Sequence, residues 1–218
     1  MTAERDDIIN LHELSLIDFN KELGSSSPAP GGGSTAALAG ALSCSLLSMV
    51  SKITLKNSKT SAVNIKLKEL IDRIDYNQKM FIRLMNEDTA AFNEIMNTFK
   101  LPKSTDDEQL QRSQAIQEAT KHAAEVPLKT TRLALDTLKL VEDLTELGSE
   151  NTISDTGVAG LMAYSALRGA IWNVKINLSS IKDSGYVQET NLEIEKIMES
   201  VNKLWPEIQK IVENKIIQ

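Results

Sequence analysis

The stretch STAALAGALSCSLLSMVS, residues 34–51, contains no charged side chain over 18 positions. Small residues recur in it every four positions, at Ala36, Gly40, Cys44 and Ser48. Such a stripe lets a second helix approach closely, so the spacing predicts a buried helix packed on another helix, with a subunit interface as one place for it. The length also fits a membrane span. Five serines and the lack of an aromatic belt favour a helix of a soluble protein instead.

The segments around this stretch also follow a helical period, which predicts an all-α fold: an antiparallel bundle of long, partly kinked helices. A first helix is expected to end at Gly24, and a long second pattern is expected to stop at Pro102. Thr105 with Glu108 forms a capping box that opens the next helix, which should run to Gly148. The apolar positions of the pattern before Pro102 are Leu67, Leu70, Ile71, Ile74, Phe81, Leu84, Met85, Phe92, Ile95 and Phe99.

Two prolines fall inside the predicted helices. Pro127 should kink or divide one helix, and Pro206 should kink the last one, because proline lacks the N–H group that a helix needs. Ser154 or Asp155 is expected to cap the helix between them. No internal repeat and no linker divides the chain, so the sequence predicts one helical domain over residues 1–218.

The composition argues against several kinds of partner. The net charge is −6 and no tract is dense in Lys or Arg, which disfavours nucleic acid. The single cysteine, Cys44, cannot form an internal disulfide, and His12 and His122 lie far apart without cysteine partners. Residues 1–10 are charged where a signal peptide has its apolar core. These observations predict a cytoplasmic protein with no nucleic acid, membrane or metal partner.

The segment SPAPGGGS, residues 27–34, is the first interruption of the helical pattern. Gly31, Gly32 and Gly33 let a ligand approach the backbone, and Ser34 stands where a helix should begin with free N–H groups. The segment is a poor match to a phosphate loop, since it has no GxxxxGK[ST] motif and no preceding strand. The alternative is a flexible elbow with Ser34 as the helix N-cap.

Asp88 is the second interruption. It continues the spacing of Met85, Phe92 and Ile95, so a carboxylate occupies the apolar face of its helix. A buried carboxylate needs a partner or has a raised pKa, which makes it a candidate general acid or base. The alternative is that Asn86 or Asp88 caps a restarted helix and faces solvent.

Polar residues on one helix face form the third interruption. Asp155 and Asn173 are five helical turns apart and Asn177 lies one turn further, so the three share a face with small alanines. This face offers hydrogen bonds and room for a ligand. A polar ladder between packed helices explains the same pattern without a ligand.

Six short runs carry a resemblance to a known family. They are SPAPGGGS (27–34), DTAAF (88–92), LPK (101–103), EVPL (125–128), SDTG (154–157) and NVKINL (173–178). Together they resemble the cyclodeaminase/cyclohydrolase family of folate enzymes over about residues 15–185. The resemblance implies a helical bundle that dimerises and binds folate near the subunit interface. Bifunctional members carry a formiminotransferase domain first, so this chain resembles the stand-alone form.

The resemblance also implies a reaction at the carbon that bridges N5 and N10 of 5,10-methenyltetrahydrofolate. A cyclohydrolase adds water to this carbon and opens the ring to the N10-formyl compound. A cyclodeaminase closes N10 onto an N5-formimino carbon and expels ammonia. Either reaction needs a proton acceptor, a proton donor and groups that orient the pterin, with no metal or cofactor. We expect the cyclohydrolase; the alternatives are the cyclodeaminase, a folate-binding module without catalysis and a purely structural protein.

Roles for individual residues follow from the resemblance. Asp88 is expected to be the acid/base, with Asp155 as the competing candidate. Asn173 and Asn177 suit hydrogen bonding to the pterin, and residues 31–34 suit a carboxylate or the pterin edge. The cations available for the folate glutamate, each of which is equally explained as a solvated surface charge, are Lys52, Lys56, Arg168 and Lys175.

Overall fold

The computed structural model describes residues 10–217. Two short 3-10 turns lie at Leu11–Glu13 and Glu150–Thr152, and no strand occurs within these described residues. The all-α prediction is therefore confirmed. The helices are α1 (Leu16–Leu23), α2 (Gly32–Asn57), α3 (Ser61–Thr98), α4 (Asp106–Leu147), α5 (Ile153–Leu178) and α6 (Ser184–Ile217).

Four helices, α2 to α5, form the body of the bundle, in which each packs on the next and α5 packs back on α2. The sixth helix, α6, lies against α4 and α5. α2 and α5 run antiparallel, because Ser43 near the middle of α2 donates to the Ala159 carbonyl at 2.7 Å while Gly32 at the start of α2 lies against Asn173 near the end of α5. The glycine-rich segment is thereby fixed at the end of the bundle where α3 and α5 terminate.

Several helix ends lie where the sequence predicts them. Gly24 follows α1 and Gly148 follows α4. The capping box at the start of α4 is complete, since the Thr105 hydroxyl accepts from the Glu108 N–H and the Glu108 carboxylate accepts from the Thr105 N–H. These ends depend on residues close in sequence, which is why the chain alone predicts them.

Two predicted helix starts are wrong. α2 begins at Gly32 with Gly31 as N-cap, so Ser34 lies inside the first turn and does not cap the helix. α5 begins at Ile153 with Thr152 as N-cap, two to three residues before the predicted cap. The 3-10 turn at Glu150–Thr152 leads directly into α5 and removes the need for a side-chain cap.

Neither proline divides its helix. α4 continues through Pro127 and α6 continues through Pro206. Pro127 has no N–H for the Ala123 carbonyl one turn earlier, and Asn177 of α5 donates its side-chain amide to that carbonyl at 2.8 Å. A neighbouring helix thus supplies the hydrogen bond that the proline removes.

The small-residue stripe of α2 packs against helices of the same chain. A Cβ on Gly40 would overlap the ring of Phe81 in α3, and Cys44 contacts Thr137 of α4. Ala36 lies against Gly169 of α5, so the predicted close packing is confirmed and the described partners are α3, α4 and α5. Burial raises the pKa of the Cys44 thiol to about 12, so this cysteine is an inert packing group.

By length and composition, α2 is the one helix within residues 10–217 that would suffice to cross a membrane. About half of it, 56% of its most apolar window, is buried inside the bundle. Its buried side chains include Leu47 and Val50, which are fully covered by the neighbouring helices. The uncharged stretch therefore supplies the central helix of this bundle.

Candidate active site

The structure brings parts of all three sequence interruptions to one place, which we call the glycine corner and define by residues 31–34, Asp88 and Asn173. The Ser34 hydroxyl donates to Asp88 Oδ2 at 2.9 Å. A Cβ built on Gly32 would lie 3.4 Å from Nδ2 of Asn173. Three helices, α2, α3 and α5, therefore converge on a corner that contains a carboxylate, a hydroxyl and an amide.

Asp88 caps a helix, but not its own. α3 runs without a break from Ser61 to Thr98, so the restarted helix considered from the sequence is wrong. The Asp88 carboxylate instead accepts from both the hydroxyl and the backbone N–H of Ser34 in the first turn of α2. A negative charge at this position interacts favourably with the positive end of the α2 dipole.

Gly33 makes the approach of Asp88 possible. A Cβ on Gly33 would overlap all three atoms of the Asp88 carboxylate group. At Gly32 the nearest atom to such a Cβ is at ordinary contact distance. The two adjacent glycines therefore differ in function. Gly33 is required by the packing of the Asp88 carboxylate, and Gly32 leaves the backbone open beside Asn173.

Burial dominates the electrostatics of Asp88. Loss of solvent raises the pKa of the Asp88 carboxyl above its ordinary value, because the charged form is poorly solvated there. The two hydrogen bonds from Ser34 stabilise the charged form and oppose the rise. A carboxyl with a raised pKa can take up and release a proton closer to neutral pH than an exposed one.

Two cavities lie on either side of residues 27–30. One, of about 510 Å³, is lined by Gly31 and Gly32 together with Ser165 and Gly169 of α5. The other, of about 750 Å³, is lined by Thr89 and by the last three turns of α3. Pro30 lines both, so the loop forms the wall between them. The glycine corner thus borders the first cavity through Gly31 and Gly32, and Thr89, which contacts Ser34, borders the second.

Thr89 is a member of the site that the sequence analysis left without a role. Its hydroxyl lies 3.1 Å from the Ser34 hydroxyl, which itself donates to Asp88. A hydroxyl residue directly after a candidate carboxylate is the signal that would have suggested it.

Across residues 10–217 no three His, Cys, Asp or Glu side chains are grouped as a metal site requires.

The two asparagines of α5 have different surroundings. Asn173 lies beside Gly32, and its side-chain amide donates to the Gly169 carbonyl at 2.9 Å. Asn177 is half-buried and donates to the Ala123 carbonyl next to Pro127. Asn173 therefore belongs to the corner, whereas Asn177 has the helix-bridging role that the polar-ladder interpretation describes. Their pterin contacts remain predictions.

Lys52, Asp155 and Arg168 lie away from the corner in this chain. Asp155 is 18 residues from Asn173 on one helix, which corresponds to about 27 Å. Lys52 is separated from the start of α2 by a similar length. Arg168 lies on the side of α5 that faces α6, where it contacts Met198. We call the part of the α2–α5 pair that carries Lys52 and Asp155 the distal end.

Comparison with known proteins identifies the family of this chain. Residues 15–196 match the family described as formiminotransferase-cyclodeaminase. The chain belongs to this family. The resemblance seen in the sequence is thereby confirmed, and it covers the glycine corner and the distal end alike.

Members of the formiminotransferase-cyclodeaminase family differ in length and name. The methenyltetrahydrofolate cyclohydrolase of Methylorubrum extorquens is 36% identical over 198 residues, which are 91% of this chain and 95% of that protein. The formimidoyltransferase-cyclodeaminase of Rattus norvegicus is 31% identical over 87% of this chain, which spans 35% of that longer protein. A crystal structure of formiminotetrahydrofolate cyclodeaminase from Thermotoga maritima superimposes with a TM-score of 0.85 at 27% identity, covering 94% of this chain and 99% of that one.

Proposed function

We propose that this chain is a methenyltetrahydrofolate cyclohydrolase that interconverts 5,10-methenyl- and 10-formyltetrahydrofolate. The similarity to the Methylorubrum extorquens cyclohydrolase, which matches this chain over nearly its whole length, supports the reaction. The half-buried carboxylate of Asp88 in the glycine corner carries the proposal, because hydrolysis of the methenyl bridge needs a group that accepts and then returns a proton.

Asp88 acts as the acid/base in this proposal. Water adds to the carbon between N5 and N10, and Asp88 accepts a proton from the attacking water. The N5–carbon bond of the tetrahedral intermediate then breaks and the carboxyl group returns its proton to N5. The hydroxyl group of the intermediate loses its proton to solvent and becomes the carbonyl of the formyl group on N10, so the cationic substrate yields a neutral product and one proton. The Ser34 hydroxyl holds Oδ2 of Asp88, so the carboxylate keeps a fixed direction through both steps.

The remaining parts of the corner bind and orient the substrate. Gly31 and Gly32 line a cavity where backbone lies open, and Asn173 beside them presents an amide to the pterin edge. No step requires a metal ion or a cofactor, and the reaction takes place in the cytoplasm. A chelator should accordingly leave turnover unchanged.

The cyclodeaminase reaction is the second candidate. It is favoured by the close superposition on the Thermotoga maritima cyclodeaminase over almost the whole chain. Both reactions pass through a tetrahedral carbon joined to N5 and N10, so the same carboxylate serves either. They differ in whether water enters or ammonia leaves.

A direct assay separates these candidates. Purified protein should accelerate the loss of the near-ultraviolet absorbance of methenyltetrahydrofolate, with and without a chelator. Turnover of formimino-tetrahydrofolate alone, with release of ammonia, would assign the cyclodeaminase reaction. Absence of turnover with both substrates would remove the enzymatic proposal.

We also propose that the protein acts as a homodimer through the solvent-facing side of α2 and α5. This side carries apolar residues that a soluble surface rarely groups together, namely Leu42, Met49, Ile53, Val158 and Leu161, which are 36–51% exposed. The packing of a second copy on this face would bury them. A two-fold axis crossing the helices at the middle of the face would bring the distal end of one copy to the glycine corner of the other. Asp155 and Lys52 would then complete the site of the second copy.

Substitution of Leu42 tests the dimer. Leu42→Glu should halve the mass seen in sedimentation and reduce turnover, because a charge would be buried in the contact. Leu192→Glu on α6 is the matched control, since Leu192 is 47% exposed against 49% for Leu42. An unchanged mass for Leu42→Glu, or the same loss in both variants, would contradict this interface.

A further inference from the structure

A third cavity, of about 400 Å³, lies where α4 extends past the end of α5. Three cations from separate parts of the chain line it, together with hydroxyl and amide groups of α4. No carboxylate lines it. The polar and charged lining residues are Lys103, Gln109, Arg112, Ser113, Gln117 and Lys182.

Glutamines of α4 hold both lysines in place through the backbone. Gln109 donates to the Lys103 carbonyl at 3.3 Å. Gln117 accepts from the Lys182 N–H at 2.7 Å and donates to the Ser180 carbonyl at 3.1 Å. The segment before α4 and the α5–α6 connection are therefore tied to one helix, and their two lysines line one cavity.

Arg112 completes the set of cations. Its Nη2 donates to the Phe99 carbonyl at 3.2 Å, and its guanidinium carbon lies 5.6 Å from the centre of the Phe99 ring. Its Nε is buried and has no hydrogen-bond partner among the described residues. A buried, unpaired N–H on a charged group is unfavourable unless a ligand or water accepts from it.

Two neighbouring carboxylates are engaged elsewhere. Asp183 pairs with Lys121 at 3.0 Å, and Glu108 accepts from the N–H groups at the start of α4. Within residues 10–217, none of the three cavity cations lies within 4.0 Å of a carboxylate. In a chain of net charge −6, this cavity is a local concentration of positive charge.

We propose that this cavity binds the glutamate carboxylates of the folate substrate, an inference that rests on the proposed function. The cavity lies at the end of the bundle that also contains the glycine corner. Phe99, which contacts Arg112, is 11 residues beyond Asp88, or about 16 Å along α3. This distance is comparable to that between the pterin ring and the glutamate of an extended folate. A folate extended along α3 from a pterin in the corner would place its carboxylates at Lys103, Arg112 and Lys182.

A structural role for these cations makes a different prediction. Positive charges near the ends of α3 and α5 stabilise the negative ends of the helix dipoles. Removing them for that reason would lower the midpoint of thermal unfolding and would affect every substrate equally. A binding role affects only substrates that carry the glutamate.

The test compares two substrates in one double variant. Lys103→Met with Lys182→Met leaves Arg112 and its contact with α3 intact, and both lysines are exposed. The KM for methenyltetrahydrofolate should rise about ten-fold or more, with kcat unchanged, because charge-assisted contacts are lost. The KM for methenyltetrahydropteroate, which lacks the glutamate, should stay at the parent value. Lys139→Met, an exposed lysine of α4, is the control and should change neither. An equal rise for both substrates would overturn the proposal.

A binding measurement keeps this inference separate from the proposed reaction. If the parent protein turns over neither methenyltetrahydrofolate nor methenyltetrahydropteroate, the proposed function fails. Calorimetry with p-aminobenzoylglutamate then tests on its own whether the cavity binds carboxylates. Binding by the parent that is lost in the double variant supports the carboxylate site. No binding by the parent overturns it.

Discussion

The two ends of the α2–α5 pair carry similar residue types in different surroundings. At the glycine corner, Asp88 is held by Ser34 against the first turn of α2, with Gly33 leaving it room. At the distal end, Asp155 lies in the first turn of its own helix, where a carboxylate is common for reasons of helix stability alone. The difference shows that the partners of a carboxylate depend on which helix packs against it, and not on its place in its own helix.

The largest expected effect separates the two carboxylates. Asp88→Asn keeps the size of the side chain but cannot exchange a proton, so kcat should fall by roughly 10² to 10⁴. Asp155→Asn should cause a smaller loss, since Asp155 joins the site only from a second copy. Steady-state kinetics beside thermal midpoints would measure both. Retained turnover in Asp88→Asn with loss in Asp155→Asn would reverse the assignment.

Substitutions of the neighbouring glycines Gly32 and Gly33 test whether the glycine corner depends on the space beside Asp88. Gly33→Ala places a methyl group on the Asp88 carboxylate and should lower the free energy of unfolding by about 1–3 kcal/mol. Gly32→Ala meets only ordinary contacts and should change it by less than about 0.5 kcal/mol. Urea unfolding of both variants gives the comparison. Equal stability for the pair would mean that the carboxylate does not depend on the space at Gly33.

The hydrogen bond from the Asn177 side chain to the Ala123 carbonyl of α4 is expected to stabilise the fold. Asn177→Ala should cost about 1–3 kcal/mol of unfolding free energy, because the Ala123 carbonyl loses its donor. In a Pro127→Ala background the helix regains its own N–H, so the same substitution should cost less. The coupling is measured by a double-mutant cycle. Additive effects would show that Asn177 does not compensate for the proline.

The smallest expected effect is a pH dependence. The folded-state pKa of Asp88 is raised above the unfolded value of 3.8, so the folded state binds its proton more tightly. The resulting stabilisation is present below pH 3.8 and is lost as pH rises through the folded-state pKa. As pH rises through this range, the unfolding free energy of the parent protein should therefore fall relative to that of Asp88→Asn. Unfolding free energies of both proteins over a pH series measure the difference, and a constant difference would contradict burial as the cause.

Local signals explain what could be predicted about the fold. The Thr105–Glu108 capping box and the ends at Gly24 and Gly148 involve residues within one helical turn. The apolar period fixed the class of the fold. The continuity of α4 through Pro127 could not be predicted, because the sequence does not reveal that Asn177 in a different helix replaces the missing donor.

By itself the sequence determined an all-α bundle, its family and the residues that interrupt its apolar faces, since periodicity, caps and short runs are properties of neighbouring residues. Only the tertiary structure decided how these residues combine. It joined Gly33, Ser34 and Asp88 at distances of 54 and 55 positions along the chain, and it placed Asp155 at the other end of a shared helix face. The reason is physical: a common face requires only helical spacing, whereas a common site requires that separate helices pack at one end of the bundle and remove the same groups from water.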